Sequence, residues 1–186
     1  GSDFFDPRRA GQVDMVQAIR SPGSTLKPLV YGLGFDDLLI HPETLIEDAP
    51  TRFGSYSPTN FLNTYAGQLT VREALQQSLN IPAVAVLEQV GPARVAARLR
   101  EVGLPLHWNA AHPQPGLPLV LGGVGMTLEE LVALYAGFAD GGRVALQAIT
   151  MGGGPSNIDT VPRRPSVLPS TSETVDGRSR SAWVRI

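Results

Sequence analysis

Apolar residues recur along this 186-residue chain in short blocks at helical spacing, opened by a capping residue or a proline and mostly closed by glycine. Thr70-Val71-Arg72-Glu73 has the form of a capping box: the Thr hydroxyl and the Glu carboxylate satisfy free N–H groups of one first turn, and Ala74 and Leu75 follow on an apolar face. That helix is expected to stop near Asn80, because the residue before Pro82 is biased toward extended backbone. A second helix is expected from Pro82 to Val90, with Gly91 ending it. Residues 92–102 repeat the pattern up to Gly103. Thr127-Leu128-Glu129-Glu130 is a further capping box, followed by Leu128, Leu131, Val132, Leu134, Tyr135 and Phe138 on or near one face and by Gly141-Gly142 as the stop.

Between these blocks the pattern is weaker. The text up to about Arg20 reads as a loop leading into a short helical stretch, and Pro22-Gly23 breaks the chain before a helix expected from about Ser24 to Val30, with Pro28 tolerated in its first turn. Residues 36–67 are rich in turn formers and predict a long surface connection with one extended candidate, Thr44-Leu45-Ile46-Glu47. Past about Ala145 the apolar period is lost among Gly152-Gly153-Gly154, Pro162, Pro165 and Pro169, so residues 145–186 are expected to be a divergent, disordered tail. There are no internal repeats. The reading is a mainly α domain over residues 1–144.

Composition removes several classes of function. Hydrophobic residues make up 42% and charged residues 17%, an ordinary globular balance. A net charge of −2 supplies no basic field for nucleic acid. The absence of cysteine removes disulfides and thiolate chemistry. No apolar run reaches membrane-spanning length, and no targeting signal is read. Of the fifteen basic residues, fourteen are arginine; Lys27 is the sole lysine.

That lysine stands three residues after Ser24, so on a helix the two share a face and the amine lies within reach of the hydroxyl. A serine hydroxyl needs such a base to become nucleophilic, and a lysine serves as one only if burial or nearby positive charge lowers its pKa. Alone, the spacing also fits a solvated lysine on a helix surface. Ser78 and Asn80, two residues apart at the expected end of a helix, offer a second hydroxyl and an amide suited to shuttling a proton and to bonding a substrate amide, although polar residues also tie off ordinary helix ends. His41, His107 and His112 have no metal-ligand spacing and read as surface or packing residues. Gly122-Gly123-Val124-Gly125 reads as tight backbone packing, with no preceding strand and no following Lys-Ser/Thr to suggest phosphate binding. Asp36-Asp37 and Glu129-Glu130 read as a solvated loop and a helix first turn, with no chemistry assigned.

The stretch Arg20-Ser21-Pro22-Gly23-Ser24-Thr25-Leu26-Lys27-Pro28 resembles the first motif of the class A penicillin-binding proteins, and Gln77-Ser78-Leu79-Asn80-Ile81-Pro82-Ala83-Val84 resembles their second. Residues 122–131, with Phe138-Ala139-Asp140-Gly141-Gly142, are similar to the segment closing the helical part of their transpeptidase domain, and the likeness runs from residue 1 to about 144. The resemblance implies the helical part of an α+β transpeptidase fold, shared with serine β-lactamases, with most of the β-sheet missing. It implies Ser24 as nucleophile, Lys27 as base, Ser78 as proton relay to the leaving amine and Asn80 as substrate-binding residue. Peptidoglycan stem peptides ending in D-Ala-D-Ala would be the substrates and β-lactams covalent inhibitors, with no metal or organic cofactor, at the periplasmic face of the bacterial inner membrane. Hydrolysis on the same scaffold, by a D,D-carboxypeptidase or serine β-lactamase, is the related alternative; a non-catalytic, partner-binding remnant is the other. The family's third motif, Lys-Thr-Gly, cannot occur here because Lys27 is the sole lysine. The expectation is therefore an incomplete domain with weak or absent activity, its tail after Val144 ascribed to a truncated or frame-shifted reading in preference to a variant that recruits its missing strands elsewhere.

Overall fold

The computed structural model describes residues 4–6, 8, 11–108, 113–142 and 144. The expected tail at 145–186 and His112 lie outside them. The described chain forms a 3-10 turn (Gly23–Leu26) running directly into α1 (Lys27–Asp36), then β1 (Leu45–Asp48), β2 (Gly67–Thr70), α2 (Val71–Gln76), α3 (Asn80–Val90), α4 (Pro92–Glu101), a second 3-10 turn (Leu117–Leu121) and α5 (Leu128–Ala139). It is mostly helical, with a two-stranded antiparallel sheet in which Leu45 faces Thr70 and Asp48 faces Gly67.

Helices α1 and α3 pack on each other at the centre, and both bury most of their surface. Leu29, Val30, Tyr31 and Leu33 of α1 meet Ile81, Val84, Val86 and Leu87 of α3 in one core. Helices this apolar have no solvent stripe to settle on and take the middle of a domain. Each fully buried side chain contributes about 1.5–3 kcal/mol, enough in sum to offset the burial of a polar group at the edge of the pair. Gly34 permits the close approach: a Cβ there would lie 2.9 Å from Ile40 Cδ1 and 3.3 Å from Val86 Cγ1. Helix α4 is amphipathic, burying Val95, Ala96 and Leu99 and placing Arg94 against Asp37 just past the end of α1.

Both expected capping boxes are present. Thr70 accepts from the Glu73 N–H while Glu73 accepts from the Thr70 N–H, and Thr127 and Glu130 do the same at α5. Strand β1 falls one residue later than the extended candidate, and β2 is an element that the sequence pattern does not signal. Several helix boundaries differ from expectation: the stretch from Ser24 opens as a 3-10 turn, and α1 itself runs from Lys27 to Asp36. Helix α2 ends at Gln76, and α3 begins at Asn80 instead of Pro82. The break falls at Ser78, whose φ of 54° is left-handed; the Ser78 N–H reaches Leu75 O and the Leu79 N–H reaches Ala74 O, a helix-ending pattern in which glycine is the usual occupant. The helical stretch expected before Arg20 is instead a set of turns. Its backbone is drawn to α5: Val16 O accepts from the Leu128 N–H, and Arg20 and Met126 exchange two hydrogen bonds of 2.9 Å.

The Gly-rich segment packs as its composition suggests. A Cβ on Gly122 would meet Ser21 Oγ at 2.4 Å and Gly23 N at 2.6 Å, and on Gly123 it would meet Pro118 at 2.6 Å. Gly122 also has a φ of 90°, and its carbonyl accepts the Ser21 hydroxyl at 2.7 Å. This backbone is thus the floor on which the turn before α1 rests. Gly122→Ala is expected to lower the unfolding free energy by about 1–3 kcal/mol, from the left-handed φ and the backbone collision together. A shift of the urea midpoint to lower concentration checks this; an unchanged midpoint contradicts it.

Candidate functional site

The site forms where the N-terminal ends of the two central helices meet. Lys27 opens α1 and Asn80 opens α3, so packing the helices together brings their first residues together as well. The Lys27 side chain is almost entirely buried, 1% exposed. Its amine donates to Ser78 O at 2.5 Å, to Asn80 Oδ1 at 2.8 Å and to Ser78 Oγ at 3.2 Å. An ammonium has three protons and no lone pair; these three acceptors use them all. Burial disfavours the charged form and lowers the Lys27 pKa to about 8.

Ser24 lies in the 3-10 turn one step before α1, and its side chain is exposed. Its hydroxyl makes no hydrogen bond among the described residues, and the Lys27 amine points to Ser78 and Asn80 instead of to it. The turn is held from three sides: Thr25 Oγ1 donates to Pro22 O at 2.5 Å, Tyr135 of α5 donates its hydroxyl to Thr25 O at 2.9 Å, and Ser21 is fixed to Gly122. Ser24 is thus a free hydroxyl on a braced turn.

Ser78 owes its place to the left-handed break, which turns its carbonyl and hydroxyl together toward Lys27. A non-glycine residue in this region costs about 1–3 kcal/mol and persists only where its surroundings hold it. Asn80 is oriented from both ends: Oδ1 accepts from Lys27, and Nδ2 donates to Thr59 O at 2.8 Å. One Nδ2 proton remains for another acceptor. A cleft of about 250 Å³ lined by Asn60, Phe61, Leu62, Thr64, Gln77, Ser78 and Leu79 opens beside the pair.

The structure thus joins Lys27, Ser78 and Asn80 directly and leaves Ser24 one turn away. His107 lies elsewhere, with Nε2 3.4 Å from Glu130 Oε1. Among the described residues no group of His, Asp and Glu is placed to hold a metal, and no helix is long and apolar enough to cross a membrane. Two residues of the site's surroundings escaped the sequence reading. In the sequence pattern Tyr135 reads only as part of an apolar stripe. Asn60 reaches the site from a turn-rich loop whose composition announces nothing.

A family model for the penicillin-binding protein transpeptidase domain matches residues 3–177. The chain belongs to this family. Over 142 residues, 76% of the chain, it is 54% identical to penicillin-binding protein 1C of Escherichia coli (strain K12), and over 68% of its length it is 35% identical to penicillin-binding protein 1F of Bacillus subtilis (strain 168). It spans 18% and 17% of those two relatives' lengths. The PonA1 protein of Mycobacterium tuberculosis, solved in complex with penicillin V, has the same fold with a TM-score of 0.63 at 20% identity, over 71% of this chain and 38% of that one. The mainly α architecture with its small sheet is therefore the helical part of the penicillin-binding transpeptidase fold.

The buried amine has a consequence for stability. Lys27 binds its proton less tightly folded, with a pKa of about 8, than at its ordinary 10.5, so the unfolded chain holds more protons between those values and stability rises with pH across that window. The hydroxyls of Tyr31, Tyr56 and Tyr135, pushed up by partial or full desolvation, oppose this only above their ordinary 10.0. With no cysteine and no second lysine, the interval from pH 8 to 10 reports Lys27. The urea midpoint is expected to rise across it in the native chain and to stay flat in Lys27→Met; a flat native profile contradicts the burial.

Proposed function

We propose that this chain carries out the acyl-transfer chemistry of a peptidoglycan D,D-transpeptidase, with Ser24 as nucleophile and Lys27 as its base. The observation that carries the reading is the buried Lys27 amine, its pKa lowered to about 8, bonded to Ser78 and Asn80 one turn from a free serine hydroxyl. With that pKa, on the order of a tenth of the amine is neutral at pH 7. A neutral amine keeps two protons, for Ser78 O and Asn80 Oδ1, and turns its lone pair to a hydroxyl.

Ser24 Oγ then attacks the carbonyl carbon of the penultimate D-Ala of a stem peptide, and its proton passes to Lys27. As the bond to the terminal D-Ala breaks, Lys27 returns the proton through Ser78 to the leaving amine, leaving an ester on Ser24. The amine of an acceptor strand attacks that ester, and its proton retraces the path to Ser24 Oγ. The remaining Nδ2 proton of Asn80 serves the substrate backbone. A β-lactam presents the same carbonyl in a ring whose amine cannot depart, and so stays on the serine; the solved PonA1 complex with penicillin V is the related precedent. None of these steps calls on a metal or organic cofactor. The same reading assigns the chemistry to the periplasmic face of the bacterial inner membrane, by family resemblance.

A second reading, a non-catalytic module that binds partners in cell-wall assembly, applies to these 186 residues taken by themselves, which hold no second lysine and hence no Lys-Thr-Gly. That motif would supply substrate-carboxylate binding and an oxyanion donor, and one such donor is worth about 10²–10³ in turnover. Slow acylation is therefore expected. Incubation with a fluorescent penicillin should label the native chain covalently and leave Ser24→Ala and Lys27→Ala unlabelled, with circular dichroism verifying that both variants fold. No adduct at saturating reagent would overturn the catalytic reading in favour of the binding module.

A further inference from the structure

Behind the site lies a polar chain that the chemistry above does not use. Asp48, the last residue of β1, is fully buried. Its carboxylate has no cationic partner among the described residues; its bonds come from Asn60 Nδ2, at 2.8 and 2.9 Å, and from the Ala66 N–H at 2.8 Å. Asn60 is itself only 6% exposed, and its Nδ2 also donates to Thr64 O at 2.9 Å. Three acceptors around Nδ2 fix the direction of the amide, because flipping it would set Oδ1 against a carboxylate. Asn60 Oδ1 therefore faces away from Asp48, and it accepts the backbone N–H of Asn80 at 2.9 Å.

That bond fills a specific gap. The first N–H groups of a helix lack intrahelical acceptors, and a Ser, Thr, Asp or Asn at the N-cap commonly supplies one. The N-cap of α3 is Leu79, which cannot. Asn60, twenty residues earlier in sequence, takes over the task, and the N–H it holds belongs to the residue whose side chain receives the Lys27 amine. We propose that Asn60, oriented by the buried Asp48, is a positioning residue that sets Asn80 against Lys27. It touches no reacting atom. Its catalytic consequence rests on the reading of Ser24 and Lys27 given above, but the positioning itself does not.

The test uses the full chain labelled with ¹⁵N and read by NMR. In the native chain the Asn80 amide should exchange with solvent as slowly as Val84 inside α3, to within about tenfold, although it is the first residue of the helix. Asn60→Ala should remove that protection and speed exchange of the Lys27 ammonium protons, a single signal because the lysine is unique, by about tenfold or more. Asp48→Asn, which keeps one acceptor for Asn60, should do the same to a smaller degree. A role confined to tying the 60–66 loop to β1 would leave the Lys27 signal unmoved. An unprotected Asn80 amide in the native chain, or a folded Asn60→Ala with native Lys27 exchange, overturns the proposal; if Asn60→Ala does not fold, the native Asn80 amide and Asp48→Asn decide. Penicillin labelling run in parallel separates the two readings: loss of labelling in Asn60→Ala extends the positioning to catalysis, while an unlabelled native chain sinks the catalytic reading and leaves the exchange result standing.

Discussion

The burial of one amine organises this domain. Lys27 is brought to the edge of the core by the packing of α1 on α3, and a cation there is tolerable only if its protons are met. Ser78 and Asn80 meet them, which explains why the chain accepts a left-handed serine between α2 and α3 and why α3 begins two residues ahead of its proline. The same burial that makes the amine expensive to charge lowers its pKa to about 8, within reach of proton transfer near neutrality. Packing, backbone strain and chemistry thus share a cause.

The surroundings divide the remaining work. One group of contacts braces the turn bearing Ser24: the Gly122 floor, the Tyr135 hydroxyl and the bonds between the N-terminal segment and α5. Another braces the acceptors of the amine, through Asn60 and Asp48. The two meet through the core helices and through the second 3-10 turn, which touches both the Ser24 turn and α3, so the separation between hydroxyl and amine depends in part on how α1 sits on α3. Gly34, whose bare Cα leaves room for Ile40 and for Val86 of α3, is one place where a larger residue would disturb that packing.

Much of this was legible in the sequence because its signals are local. A capping box is four consecutive residues, and a helix stop is a single glycine, so α4 and α5 appear nearly where the pattern puts them. The two motifs single out Ser24, Lys27, Ser78 and Asn80, of which the structure joins the last three and leaves Ser24 one turn away. What stayed hidden depends on distant partners. Strand β2 buries only Leu69 and exists because β1 lies beside it. The break at Ser78 has no glycine or asparagine to announce it, because Lys27, 51 residues away, contributes to holding it. Asp48 and Asn60 look like loop polarity until the fold buries them.

The most direct test is the titration of the lysine itself. With Lys27 the only lysine, a chain labelled with ¹³C at the lysine ε-carbon gives one resonance whose shift follows the charge of this amine alone. A single transition with an apparent pKa of about 8 is the result that buried, fully bonded packing requires. A transition at the ordinary value of 10.5 would mean that the amine is solvated, and that neither the meeting of the helix ends nor the base assigned to Ser24 stands as described.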